Sequence, residues 1–311
     1  MRKVAFVINP VGVRHLRALE RHCEETAVRN GWQPELMGTE VGESKGQLVE
    51  HLHRYAAEGG DRLVFAIGGD GTVRTCADAL ANSGAALAIV PRGTANLFAR
   101  ALGLPAGLDA ALNIGFGSEE RCVDLATLDG PGTDGLSFAA MTGIGLDAAV
   151  VHSTPRFLKD HLGWVGYAAG AMAHLGSRPH EFMLSLDGRP PLARRAHSVV
   201  VGNVGILPGG FSILPGASLE DGSLDVGVLA PQHVLGWAVM AGRMLAHGHD
   251  VDRQFEHHCA RTVEITAATE LPREMDGDII APGRSLSVRV LPKALVVRAP
   301  HGSEPTTGRH P

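Results

Sequence analysis

Leu63-Val64-Phe65-Ala66-Ile67-Gly68-Gly69-Asp70-Gly71-Thr72-Val73-Arg74-Thr75-Cys76-Ala77-Asp78-Ala79-Leu80 is the stretch whose reading decides the fold. Its first five residues are a short, continuous apolar run free of breakers, the pattern of a strand buried on both faces of a parallel sheet. From Thr72 onward the residues read as the first turns of a helix. Gly68–Thr72 is then a strand-to-helix turn. Its glycines let backbone N–H groups approach an anionic ligand, and the helix N-terminus adds partial positive charge. Asp70 would repel a bare phosphate. It makes sense where a divalent cation or a hydroxyl stands between carboxylate and phosphates, which is the chemistry of a metal–nucleotide site. Asp-Gly also occurs at 129–130, 187–188, 221–222 and 276–277, and most of these pairs read as plain tight turns. The pentad differs in its two leading glycines and its strand and helix flanks. No Gly-Lys-Ser or Gly-Lys-Thr follows, so it is not a Walker loop.

Outward from this stretch, residues 1–125 alternate strand and helix signals. Val4–Ile8 reads as a strand, followed by Leu16, Leu19, Cys23 and Ala27 on one helical face. Glu35–Gly38 is a weaker strand, and Leu48, Leu52, Tyr55 and Ala56 stripe the next helix. Ala86–Val90 is a fourth strand. This rhythm predicts a parallel sheet covered by helices. Pro91-Arg92-Gly93-Thr94-Ala95-Asn96-Leu97 again follows a strand and opens a helix. Ligands of open α/β sheets bind at the C-terminal edge of the strands. Two glycine loops there, with Asn9-Pro10 after the first strand, predict a triphosphate pocket.

Beyond residue 125 the texture changes to strand-like runs separated by Asp-Gly and Pro-Gly turns, predicting a mostly antiparallel, sandwich-like β domain over 126–299. The runs are 137–142, 182–186, 198–201, 223–229, 262–266, 285–290 and 294–297, the last of which could return to the first domain. Leu158–His174 and His233–His247 read as helices, and residues 300–311 as a disordered tail. The 311 residues suffice for two cores. A formal charge of −5 without a dense basic run argues against nucleic-acid binding. The four cysteines, Cys23, Cys76, Cys122 and Cys259, are scattered without metal-ligand spacing and suit a reducing cytoplasm. The apolar start is cut at Asn9-Pro10, too early for a signal peptide. His257-His258 and His247-Gly248-His249 read as solvent-exposed loop histidines, because no third ligand is evident in sequence.

An ordered set of markers resembles the diacylglycerol kinase catalytic-domain family, which includes sphingosine, ceramide and bacterial lipid kinases. The markers are Asn9-Pro10, Gly68–Thr72, Gly93-Thr94-Ala95-Asn96, Asp124, Gly143–Asp147, Gly202-Asn203, Pro215–Asp225 and Asp276-Gly277-Asp278. They span nearly the whole chain. The first glycine loop alone would not discriminate, since NAD kinases share it and phosphofructokinases have a close version. The resemblance implies an α/β nucleotide domain of the NAD kinase/phosphofructokinase type, ATP and Mg2+ as cofactors, and a lipid alcohol as acceptor.

Carried over by position, the resemblance implies that Gly68, Gly69, Asp70, Gly71, Thr72, Val73 and Arg74, with Gly93, Thr94 and Asn96, hold the ATP phosphates. Asn9, Pro10 and Thr39 would border the nucleotide. Asp70 would reach the catalytic magnesium directly or through water, and Asp124 would join a network near it. A structural magnesium would take Asp221 with the carbonyls of Ser218 and Ser223, oxygen ligands that suit a hard cation. The family commonly ends its last motif in glutamate, the candidate base; Asp278 stands there in this chain, one methylene shorter, with Asp276 expected to point away. Two further departures are Arg74, expected on the helix surface, and Leu97, where the family often has aspartate. For the acceptor, Val204–Phe211 and Phe157–Tyr167 are the candidate apolar segments. The expected protein is a cytoplasmic kinase transiently peripheral to the inner membrane face, with diacylglycerol as first acceptor and a homodimer left open. Two alternatives stand beside it. One is an NAD kinase-like small-molecule kinase; the other is a non-catalytic nucleotide or lipid sensor.

Overall fold

The protein is seen in a computed structural model that describes residues 2–11, 13–37, 45–117, 119–130, 133, 135–145, 178–207, 211–231 and 255–300. Thr39, the expected helices at 158–174 and 233–247, the 157–167 segment and the tail from 301 lie outside the described residues. The chain divides into two units, residues 1–123 with 294–311, and residues 124–293.

The first unit begins with β1 (Lys3–Ile8), α1 (Leu16–Arg29), β2 (Gln33–Met37), α2 (Lys45–Ala57), β3 (Arg62–Gly68) and α3 (Asp70–Leu80). It continues with β4 (Ala86–Pro91), α4 (Leu97–Ala101) and α5 (Leu108–Phe116). The strands pair in parallel in the order β2-β1-β3-β4, with Phe6 opposite Phe65 and Phe65 opposite Ala88. Alternate residues Val4, Phe6, Ile8, Leu63, Phe65 and Ile67 pack against Leu19, Cys23 and Ala27 of α1 and Ala111 and Leu112 of α5. The rings of Phe6 and Phe65 stack at 5.1 Å between centroids. Strands buried on both faces explain the uninterrupted apolar runs.

The second unit is antiparallel. Its strands are β5 (Glu120–Asp129, which starts in the first unit), β6 (Leu136–Phe138), β7 (Met141–Gly145), β8 (His180–Leu186), β9 (Leu192–Ala196) and β10 (Ser198–Gly202). There follow β11 (Ile206–Leu207), β12 (Phe211–Ser212), β13 (Leu224–Leu229), β14 (Phe255–Ala260), β15 (Thr262–Met275) and β16 (Asp278–Arg298). Neighbours run β14-β13-β10-β7-β15-β16, with β8 and β9 off β15. The inner-face residues Val199, Val201, Leu224, Val226, Val263, Ile265, Leu286 and Val288 form the core.

Three sequence expectations are corrected here. Residues 137–142 are two strands, β6 and β7, separated by a bend at Ala139-Ala140. Runs 285–290 and 294–297 belong to one strand, β16, interrupted where Lys293 takes φ 51°. After that point Val296 and Val297 pair in parallel with Ala86 and Leu87 of β4, giving the first unit a fifth strand. His257 and His258 lie on β14 rather than in a loop; Phe255–Ala260 has no clean apolar alternation to signal a strand.

Candidate active site

The first unit brings its two glycine loops into contact. Gly68 ends β3 and Asp70 begins α3, with extended Gly69 between them. The neighbouring strand β4 ends at Pro91, and the Arg92 N–H donates to the Gly68 carbonyl at 2.8 Å. A Cβ built on Gly93 would lie 2.6 Å from the Cα of Gly69, closer than real Cβ contacts come. Glycine is therefore needed where the two backbones cross.

Asp70 fastens this crossing. Its Oδ2 accepts the Asn96 N–H at 2.8 Å and its Oδ1 the Leu97 N–H at 2.7 Å. The carboxylate thus satisfies orphan amides at the start of α4 and places negative charge at its positive end. Asn96 takes the left-handed conformation with φ 48°, which asparagine tolerates. Its side-chain amide closes the loop by accepting from Gly93 N–H at 2.9 Å and donating to Gly93 O at 2.7 Å. Gly93 and Thr94 are left exposed. From the end of β1, Asn9 Nδ2 reaches Thr72 Oγ1 at 3.5 Å, and Asn9 Oδ1 accepts the Val11 N–H at 3.0 Å. Pro10 follows in the same turn. Asn9, Pro10, Gly68–Thr72, Gly93, Thr94 and Asn96 are thereby gathered at one edge of the parallel sheet.

Val73 and Arg74 differ from exposed phosphate ligands. Val73 is buried, so its side chain belongs to the packing of α3. Arg74, expected on the helix surface, is also buried, at 8% exposure. The reason is that α3 packs against both β3 and α2, which covers that flank of the helix. Leu97 is buried too, consistent with an apolar residue at a position that makes its polar bond through the backbone. On the α1 and α5 side of the same unit a cleft of about 570 Å3 is lined by Val13, Arg14, His15, His22, Arg92 and Asp109 among others. Arg14 and Arg92 are exposed and make no ion pair among the described residues.

The second unit holds two acidic groupings. Asp124 is fully buried; its Oδ2 accepts Gly222 N–H at 2.6 Å and its Oδ1 Lys293 N–H at 2.7 Å. Asn203 Nδ2 donates to the Asp124 carbonyl at 3.4 Å, while its buried Oδ1 has no partner among the described residues. Asp221 lies beside this knot in the turn before β13. Its Oδ1 accepts Ser223 N–H at 2.9 Å, and Ser218 Oγ accepts Glu220 N–H at 3.2 Å. Burial of the Asp221 carboxyl, with the nearby charges of Asp225 and Asp124, raises it above the usual carboxylate range. Asp221, Ser218 and Ser223 thus share one oxygen-rich, negatively charged turn.

The other grouping is the β15–β16 hairpin. Asp276 and Gly277 take positive φ values of 49° and 80°, the two-residue turn that matches strand twist. The Asp276 carboxylate turns inward and accepts N–H groups from Ala139, Ala140 and Met141 at 3.1, 2.9 and 3.1 Å. Asp278 follows the turn and is exposed. Two anchors of this hairpin escaped sequence reasoning. Glu274 accepts Gly277 N–H at 2.9 Å. Arg273, with no exposed surface, donates to the carbonyls of Ala281 at 2.7 Å and Ser285 at 3.0 Å. Only their placement within a strand otherwise apolar inward could have signalled them.

Residues 3–128 match the family model of the diacylglycerol kinase catalytic domain, and residues 140–299 match that of the YegS C-terminal NAD kinase beta sandwich-like domain. A Pseudomonas fluorescens protein named "probable lipid kinase YegS-like" is 32% identical, covering 97% of this chain and 97% of its own. The chain belongs to the diacylglycerol kinase catalytic-domain family. A Pseudomonas aeruginosa family member of the same name is 33% identical over 94% of this chain and 90% of its own. Among solved structures, a Bacillus anthracis diacylglycerol kinase superposes with a TM-score of 0.67 at 21% identity, covering 96% of this chain and 97% of that one. An Archaeoglobus fulgidus NAD kinase in complex with ATP gives 0.50 at 11% identity, covering 96% and 93%. At these identities the two structural likenesses concern the fold, which the family shares with NAD kinases. The fold is an α/β N-terminal domain with parallel strands and a β-rich C-terminal domain.

Proposed function

We propose that this chain is an ATP-dependent lipid kinase that transfers the γ-phosphoryl group to a lipid hydroxyl, with diacylglycerol as the first acceptor to test. The observation that carries the reading is the Asp70 clasp. One carboxylate fixes the start of α4, where the second glycine loop ends, against the first glycine loop, leaving Gly93 and Thr94 exposed at the strand edge beside the start of α3. Preorganised amides at a helix start bind phosphates without reorganisation. Gly68, Gly69, Gly71, Thr72 and the Val73 and Arg74 backbone, with Gly93, Thr94 and Asn96, are assigned to the phosphates. Asn9, Pro10 and Thr39 are assigned to the nucleotide border.

The residues fit Mg2+ in two places. Asp70 accepts a backbone amide on each carboxylate oxygen, an arrangement that suits contact with the ion through ordered water. Asp221 lies in one turn with Ser218 and Ser223 and near the charge of Asp124; its carboxylate and the Ser218 and Ser223 carbonyls would supply the hard oxygen donors, and a cation would relieve the acidic repulsion. Bound Mg2+ supplies neutralisation of phosphate charge. Asp124 positions the Asp221 turn through Gly222. Asp278 is assigned as the base that takes the acceptor's proton, because Asp276 is committed to three backbone amides. In a loose phosphoryl-transfer transition state positioning and charge neutralisation dominate, so the shorter carboxylate is compatible with turnover. Residues 126–299 are assigned the acceptor, with Val204–Ile206 among its walls.

The test is Asp278→Asn assayed for both ATP binding and phosphoryl transfer to diacylglycerol. Retained binding with a rate loss on the order of a hundredfold or more is expected of a lost general base. Full turnover in that variant would remove Asp278 from the mechanism; binding without turnover even in the unaltered protein would favour the sensor.

A further inference from the structure

Asp225, His257 and Cys259 come together on two adjacent strands outside the grouping assigned to magnesium. Asp225 of β13 is the direct cross-strand partner of Cys259 of β14, and Gly227 is the partner of His257. Residues 225 and 227, like 257 and 259, point to one face of the sheet, opposite the core face that carries Leu224, Val226 and Ala260. Because Gly227 has no side chain, the neighbour of the His257 imidazole on this face is Asp225, one pair along. His257 Nε2 lies 2.5 Å from Asp225 Oδ1, and Cys259 Sγ lies 3.6 Å from the same oxygen. All three donor atoms fall within 4.8 Å of one another.

Asp225 is 2% exposed, and among the described residues its side chain has these two polar partners alone. A buried carboxylate held by one imidazole and one weak S–H donor is poorly compensated. Partial desolvation of the sulfur first, then the negative charges of Asp225 and Asp221, push the Cys259 thiol up to about 11, although the residue as a whole is exposed. With no cation present the sulfur is therefore a thiol and not a reactive thiolate.

We propose that Asp225, His257 and Cys259 form a transition-metal site for Zn2+ or a divalent ion of similar softness. The donor set is one carboxylate oxygen, one imidazole nitrogen and one thiolate, the mixture that borderline ions take, while Mg2+ prefers oxygen alone. Tetrahedral ligands about 2.0–2.3 Å from zinc stand roughly 3.3–3.7 Å apart. The imidazole thus moves back by about an ångström from its hydrogen-bonded position when the ion enters. The Cys259 thiol proton goes to solvent, and the proton between Nε2 and Oδ1 moves to Nδ1 or to solvent. Cys259 is exposed and His257 partly exposed, so water is within reach as the fourth ligand. The site ties β13 to β14 just beyond the Asp221 turn. It does not depend on the kinase reading.

The experiment uses the full-length protein, stripped with a chelator and titrated with Co2+ while thiolate-to-cobalt charge-transfer absorption is followed in the near ultraviolet. The expected result is a band that saturates at one equivalent, survives excess Mg2+, disappears in Cys259→Ser and persists in Cys122→Ser. His257→Gln, a second and independent variant at a partly exposed position, is expected to weaken Co2+ at least tenfold, the smallest loss that even outer-shell changes produce. Absence of the band in the unaltered protein, its persistence in Cys259→Ser, or its removal by Mg2+ would each overturn the assignment.

Discussion

At the residue scale, one carboxylate can be structural and chemical together, and Asp70 separates the two by substitution. Asp70→Ala removes two charge-assisted bonds to the amides of Asn96 and Leu97. It should cost about 2–3 kcal/mol in urea unfolding, and Asp70→Asn, which keeps an acceptor, about half of that. Equal stability of Asp70→Ala and the unaltered protein would remove the clasp. His197 gives the pH dependence. It is buried, its Nε2 donates to the Pro231 carbonyl at 3.1 Å, and burial lowers its pKa below the ordinary histidine value of about 6.5. Folding therefore favours the neutral ring. Its stabilising contribution is complete above about pH 6.5 and is lost as pH falls through that value toward the lower folded pKa. His197→Asn should flatten the fall of Tm between pH 7.5 and 5, as read by circular dichroism melts. The glycines and Asp70 were legible because strand–glycine–helix is a local pattern. The inward turn of Asp276 was not, since its three donors lie about 135 residues earlier.

At the element scale, the proposed function gives the β15–β16 hairpin the task of presenting Asp278. Asp276 holds the Ala139–Met141 bend, Glu274 holds Gly277, and Arg273 grips the far side of the bulged hairpin through two carbonyls. Asp276→Ala leaves three buried amides unpaired and should cost about 3 kcal/mol or more, with transfer activity lost in step because Asp278 is no longer held. Destabilisation without loss of activity would separate the hairpin from the chemistry. The parallel strands were readable from uninterrupted apolar runs. β14 and β9 were not, because half-exposed strands bearing Arg194, Arg195, His257 and His258 show polar residues on the outer face and little contrast on the inner. The break in β16 was legible at Pro292. That the strand resumes after Lys293 and joins β4 is a tertiary outcome that no local pattern carries.

At the scale of the whole molecule, β16 serves both units: residues up to Lys293 complete the antiparallel core, and Val296 and Val297 extend the parallel sheet beyond β4. A fragment of residues 1–123 alone would leave the edge of β4 unpaired, and unpaired apolar edges invite aggregation. Joining residues 294–300 to that fragment should raise its soluble yield and its Tm; equal behaviour of both forms would show that the fifth strand is dispensable. Among the described residues no helix is long and apolar enough to cross a membrane. What decides the function is phosphoryl transfer to a lipid through the Asp70-fastened loops. Its most direct test is transfer of labelled γ-phosphate from ATP to a panel of lipid alcohols in mixed micelles, with and without Mg2+, beside Asp70→Ala and an NAD control. A lipid kinase built on these loops gives a Mg2+-dependent, chloroform-soluble labelled product that Asp70→Ala does not form. Labelled NADP with no labelled lipid, or ATP binding with no product from any acceptor, would contradict it.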